Sequence, residues 1–140
     1  MPTSTWTATG ICAEDGRFEE GEGRPFLMFE EEYDFVFWQP RTGELATEMG
    51  RSFALGEELI DNPGTTALDQ WLNIFADPLQ WLQHERNGIV VLNWGDAFER
   101  LRDVTRIAVA ETILSTYQKH MKPKHMPRLA VLPKSETRAA

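Results

Sequence analysis

The first third of the chain is patterned with a period of two. Thr5 to Ala13 alternates β-formers with small residues and reads as a strand, and Asp15-Gly16 reads as the turn that follows it. Phe18 to Gly23 is acidic and glycine-rich, which predicts a loop. Phe26-Leu27-Met28-Phe29 is a short apolar run bounded by acids, the signature of a buried strand. Tyr33 to Trp38 is aromatic and β-branched, Gln39-Pro40-Arg41-Thr42-Gly43-Glu44 has turn chemistry, and Glu44 to Met49 returns with alternation. Together they predict an antiparallel hairpin over 33–49. Ser52-Phe53-Ala54-Leu55 adds a short strand before Gly56. Asp61-Asn62-Pro63-Gly64 is a turn, because proline presets one dihedral and glycine permits the next.

From Thr66 the period lengthens. Leu68, Trp71, Leu72 and Phe75 fall at i, i+3, i+4 and i+7, the apolar stripe of an amphipathic helix. Asp77-Pro78 restarts the chain as an N-cap and a first helical residue, with Leu79, Trp81 and Leu82 on the buried side and Asn87-Gly88 as the stop. Ile89 to Trp94 is apolar on both faces and reads as a central strand. Asp96 and Glu99 form an acidic capping box. Phe98, Leu101, Val104, Ile107, Ala110, Leu114, Tyr117 and Met121 then keep helical spacing, with a break near Asp103. Leu129 to Leu132 is a final apolar strand.

The expected fold is therefore α+β. Antiparallel N-terminal strands, with the hairpin near 33–49, join a helix-rich C-terminal half. That half carries a strand–helix–strand unit over 89–132, long enough for a right-handed parallel crossover, and all strands belong to a single mixed sheet. One globular domain over 1–133 and a disordered tail over 134–140 are expected, since about 100–150 residues is the commonest domain size. A hydrophobic fraction of 41% supplies a core without disulfides. The single cysteine, Cys12, cannot pair internally, which suits a reducing compartment. No apolar run approaches the ~18–20 residues of a membrane span. Met1 to Trp6 lacks the basic start and apolar run of a signal peptide, so the expected location is the cytoplasm.

Charge changes the picture more than size does. The net charge is −8, but residues 1–70 hold 15 acids against 4 bases, whereas residues 71–140 hold 7 acids against 10 bases. Nine of the acids lie between Glu14 and Asp34, among only two bases, Arg17 and Arg24. A surface this acidic repels exposed phosphate backbone, so direct nucleic-acid binding is not expected.

Catalytic signatures are sparse. Ser4, Ser52, Ser115 and Ser135 lie outside any G-x-S-x-G elbow, no phosphate-binding glycine motif accompanies the 89–94 strand, and no H-E-x-x-H occurs. Asp96, with Asn93 or Glu99, stands where a strand end can hold Mg²⁺, although capping accounts for the same residues. Glu57, Glu58 and Asp61 flank the Pro63-Gly64 turn as candidate acid–base or cation-binding carboxylates, with a solvated loop as the simpler account. His120-Met121 and His125-Met126 have the soft donors of a copper(I) site, but a basic helix end with packed methionines explains them first. Cys12 reads as a core residue. No metal or cofactor is expected.

Trp71, Trp81, Phe75 and Phe98 fall at core positions, which leaves Trp38, beside a proline-containing turn, as the exposed aromatic and a candidate interface anchor. The best-supported function is a small acidic interaction or regulatory protein. Its N-terminal half, through Glu19, Glu20, Glu22, Glu30, Glu31, Glu32, Asp34 and Trp38, engages a basic protein or a nucleic-acid-binding protein by imitating phosphate. The alternatives are a metal-assisted enzyme on phosphate compounds using carboxylates at the end of strand 89–94, and a nucleic-acid-associated protein using a basic C-terminal face from Arg100 to Arg128.

Overall fold

The computed structural model describes residues 5–50, 52–123 and 127–133. Strands β1 (Thr5–Cys12), β2 (Phe18–Glu20), β3 (Arg24–Glu30), β4 (Phe35–Trp38) and β5 (Leu45–Thr47) form an antiparallel sheet in the order β2-β1-β3-β4-β5. The hairpin expected over 33–49 is β4–β5, with Phe37 opposite Ala46. The glycine-rich stretch read as a loop supplies β2, because Phe18 has a place to bury: its ring stacks on Phe37 at 3.9 Å and meets Phe26 edge-on at 5.3 Å. The sheet curls until its ends meet. Thr47 donates its N–H to Gly16 O (3.0 Å), the Cys12 thiol donates to Leu45 O (3.5 Å), and the Arg17 guanidinium donates twice to Glu48 O (3.1 and 3.0 Å).

Strand alternation divides the aromatic residues between two cores. Phe26, Phe37 and Ala46 pack inside the curl with Phe18 and Met28. Phe29, Val36 and Trp38 face the other way, against Leu55, Phe75, Trp81 and Val90 of the second half. Trp38 is only 7% exposed, so the expected surface anchor is a core residue instead. Its neighbour in the hairpin turn misleads: Pro40 is exposed, but the strand before it is covered by the C-terminal half.

The second half is built from short pieces: β6 (Ala54–Leu55), β7 (Leu72–Ile74), α1 (Pro78–Gln83), β8 (Val90–Val91), α2 (Ala97–Leu101), β9 (Ile107–Val109) and α3 (Leu114–His120). β6 pairs antiparallel with β8 and β7 pairs parallel with β9. The architecture is α+β as expected, but with three sheets rather than one. A parallel bridge between Ile74 and Ile89 links the two small ones. The parallel connection thus runs from β7 to β9, with the single bridge at Ile89 on the way, and not over the expected 89–132 unit. Asp77 caps α1 as read, its Oδ1 accepting from Gln80 N–H at 2.8 Å.

One expected helix is absent and another is interrupted for a tertiary reason. Leu72, Ile74 and Ile89 are almost fully buried in a third cluster with Phe53, Ala54, Ala97 and Leu101. Burying such side chains is worth about 1.5–3 kcal/mol each, which outweighs intrinsic helix preferences of less than about 1 kcal/mol per residue. Residues 66–75 therefore become part of a 3₁₀ segment, Pro63–Asp69, followed by β7. Leu68, placed on the helix stripe by its spacing, is 92% exposed, and Trp71 is exposed too. Leu68 and Asp69 both adopt positive φ (55° and 63°). Arg106 grips this loop, donating to Thr66 O (2.6 Å) and Gln70 O (3.2 Å) and pairing with Asp69 (3.2 Å). The long helix expected from Asp96 onward breaks into α2, β9 and α3, because Ile107–Val109 extends alongside β7.

Asp96 makes no side-chain cap. It accepts instead from Asn93 Nδ2 (2.8 Å), and Asn93 Oδ1 takes the Gly95 N–H, so the expected capping box is not formed. Residues 129–132 form no strand, and Leu129, Val131 and Leu132 are exposed. The tail 134–140 and Lys124-His125-Met126 lie outside the described residues. Gly88 sits where backbones approach closely: a Cβ there would lie 2.5 Å from Asn73 O and 2.6 Å from the Phe75 ring.

Candidate functional site

The turn between β3 and β4 carries Glu31, Glu32 and Tyr33, and the segment after β6 carries Glu57, Glu58 and Asp61. The structure brings these together with Ser52 and Arg100 around a cleft of about 280 Å³. Two hydrogen bonds assemble it. Glu31 Oε1 accepts from Gly56 N–H at 2.8 Å, 25 residues away, which ties the β3–β4 turn to the segment just after β6. Glu57 Oε1 accepts from Phe53 N–H at 3.0 Å, while Oε2 receives the Arg100 guanidinium at 2.9 Å. Arg100 also lies 3.9 Å from Asp61 and 5.6 Å from the centre of the Phe53 ring.

Five carboxylates thus face one guanidinium. Burial pushes Glu31 up from 4.5 to about 7; the Gly56 hydrogen bond opposes this and the Glu58 charge adds to it. The phenol of Tyr33 is also raised, by its hydrogen bond to Glu32 and by that carboxylate's charge. A carboxyl poised near 7 changes the charge of the cleft by one across neutral pH. The arrangement suits retention of a cationic group.

The raised value has a consequence for stability. A folded carboxyl that holds its proton to higher pH than the unfolded chain contributes fully below about pH 4.5, and its contribution falls as pH rises through about 7. Partial exposure reduces the effect to on the order of 1–2 kcal/mol. Glu31→Gln keeps an oxygen for Gly56 and removes the titration. The variant is expected to melt with wild type at pH 4 and above it at pH 8. A melting difference that stays flat between pH 4 and 8 would exclude an elevated Glu31.

The other expected residues divide. Glu19 and Glu20 are exposed on the edge strand β2, Glu22 is exposed in the β2–β3 turn, and Glu30 ends β3. The seven residues of β3 place Glu19 to Glu22 and Glu30 to Glu32 at opposite ends of the sheet, roughly 20 Å apart at ~3.3 Å per residue. The acidic run is two patches, not one face. Among the described residues, no ion pair involves any of these six glutamates. Asp34 is different. It is 4% exposed, and its carboxylate accepts from the N–H groups of Phe35 (2.8 Å), Met49 (2.7 Å) and Ser52 (3.0 Å), so it organises the chain rather than its surface.

Of the basic residues read as a face from Arg100 to Arg128, the three arginines nearest its start are engaged within the fold. Arg100 enters the acidic cleft, Arg102 pairs with Glu99 at 3.7 Å, and Arg106 holds the 66–70 loop. His120 Nδ1 lies 3.0 Å from Thr116 O. Among the described residues, no group of three or more His, Cys, Asp or Glu side chains is disposed to hold a metal ion, and no helix is long and apolar enough to cross a membrane. The Cys12 thiol is raised by burial and by the charges of Glu44 and Asp15, which disfavours its thiolate.

Reading by sequence separated Glu31-Glu32 from Glu57-Glu58-Asp61 and assigned Arg100 to another face. The convergence depends on the Gly56 contact, for which no local signal exists. Compared with protein-family models, curated proteins and solved structures, the chain matches none.

Proposed function

We propose that this is a small acidic interaction protein of the cytoplasm that binds a basic partner, such as a nucleic-acid-binding protein, through carboxylates of its N-terminal half. The observation that carries this reading is the cleft in which Glu31, Glu32, Glu57, Glu58 and Asp61 meet a single guanidinium. A lysine or arginine from a partner would add a second cation to a site with surplus negative charge. Glu30, at the end of β3, extends the surface. The spacing of carboxylates along such a surface can stand in for phosphates, which supports an inhibitor or mimic of nucleic acid.

An octalysine peptide followed by fluorescence anisotropy tests the proposal. Binding is expected to weaken steeply as salt rises from 50 to 300 mM, since exposed pairs are screened beyond ~10 Å at 0.1 M. Replacing Glu30, Glu31 and Glu32 by glutamine is expected to weaken binding by roughly tenfold. The charge-matched replacement of Glu19, Glu20 and Glu22 is the control. Equal losses from both triples would show attraction to net charge alone and reject the cleft; no loss from either would reject the proposal.

A further inference from the structure

Four bases occur in the first 70 residues, against 15 acids. Two of them, Arg24 at the start of β3 and Arg41 in the β4–β5 turn, line the same groove, of about 820 Å³. No aspartate or glutamate lines it. Among the described residues neither guanidinium makes an ion pair, although acids surround both in sequence. The walls are Pro25, Pro40 and Leu27, so the surface between the charges is apolar.

The groove is also held rigid. Gln39 is 2% exposed; its Nε2 donates to Pro25 O and its Oε1 accepts from Arg41 N–H, both at 2.6 Å. One buried amide therefore joins the strand that carries Arg24 to the turn that carries Arg41. The two prolines fix their own φ angles, and Gly43 N–H closes the turn onto Gln39 O at 2.7 Å. A volume near 820 Å³ lies within the range of small-molecule sites. Its lining shares no residue with the acidic cleft.

From this juxtaposition we infer that the groove binds a small phosphate monoester with a flat apolar body. Two guanidiniums match a dianion better than a monovalent carboxylate, and each presents a planar fork suited to phosphate oxygens. The proline and leucine walls take the apolar body. Preformed walls limit the ordering that binding requires. The chain's negative field disfavours larger polyanions, which selects for a ligand small enough to lie within the groove.

The test uses phenyl phosphate, benzoate, inorganic phosphate and benzyl alcohol, each titrated into the ¹⁵N-labelled full chain. Phenyl phosphate is expected to shift the amides of Arg24, Leu27, Arg41 and Thr42 in a saturable way, with benzoate and inorganic phosphate each weaker and benzyl alcohol silent. Arg24→Gln with Arg41→Gln is expected to weaken phenyl phosphate by about tenfold or more while leaving the rest of the spectrum in place. Arg102→Gln, on the other half, is expected to change nothing. Tighter binding of benzoate than of phenyl phosphate would overturn the phosphate assignment. Shifts scattered over the surface, or unchanged affinity in the folded double variant, would overturn the site.

Discussion

Replacing Asp34 by alanine is expected to remove about 3–5 kcal/mol of stability, the largest loss from any single acidic residue in the chain. Three backbone N–H groups donate to its carboxylate, from Phe35, Met49 and Ser52. Hydrogen bonds to a charged group contribute about 1.5–3 kcal/mol each, and water entering the truncated site recovers part of the total. Against a typical stability of about 5–15 kcal/mol this is a large fraction. At about 2–4 °C per kcal/mol, the melting temperature should fall by roughly 10 °C. Asn in its place keeps one acceptor oxygen but presents an NH₂ to a donor, so an intermediate loss is expected. Thermal unfolding followed by circular dichroism measures both, and an alanine variant melting within about 2 °C of wild type would refute the assignment. The result matters for function because it separates Asp34 from the glutamates around it: its charge is already committed to the segment 49–52.

Gly88→Ala is expected to be comparably severe. The new methyl would stand 2.5 Å from Asn73 O and 2.6 Å from the Phe75 ring. Neither gives way easily, because Asn73 is inside β7 and Phe75 is buried in the core with Trp38 and Trp81. The backbone φ of 157° adds to the penalty. Gly88 O also accepts the Trp81 indole N–H at 3.0 Å, so any shift of the glycine disturbs α1 as well. A loss of about 3 kcal/mol or more is expected. Gly43→Ala isolates the dihedral contribution, since its φ is 79° and no atom lies within 4 Å of the added methyl. That substitution should cost only about 1–2 kcal/mol. Urea unfolding of the two variants provides the comparison, and similar midpoints would remove close packing as the cause.

The legible parts of the fold are those in which local pattern and tertiary demand agree. Strands β1 and β5 follow from alternation, β3 from its apolar run, β4 from its aromatic and β-branched residues, and the start of α1 from Asp77-Pro78. The second half conceals its structure because its elements are so short. Leu72-Asn73-Ile74 fits a helical stripe and a three-residue strand equally well, and only the pairing with Ile107–Val109, more than thirty residues away, decides between them. Trp38 and Trp71 exchange their expected roles for the same reason: which face of each segment is covered depends on the other half of the chain. The carboxylates were visible singly. Their grouping was not, because Glu31 meets Gly56 only after both cores have formed. Arg24 and Arg41 stand 17 residues apart in an acidic stretch with no local pattern to join them, and their pairing across a groove follows from the Gln39 amide.

The curl of the first sheet has a consequence for colony, column and storage tube alike. Contacts from Gly16 and Cys12 occupy the outer side of β5, but β2 is three residues long and covers β1 from Gly10 to Cys12, with Gly21 N–H donating to Thr9 O (3.1 Å) just beyond. Among the described residues, no strand pairs with the remainder of that border, Thr5 to Ala8, which leaves backbone able to template strands from neighbouring molecules. Glu19, Glu20 and Glu22 stand at this border, and their mutual repulsion between molecules keeps like edges apart. The same charge that would attract a partner elsewhere acts here as a guard against self-assembly, and acidification strong enough to protonate it would leave the edge unguarded.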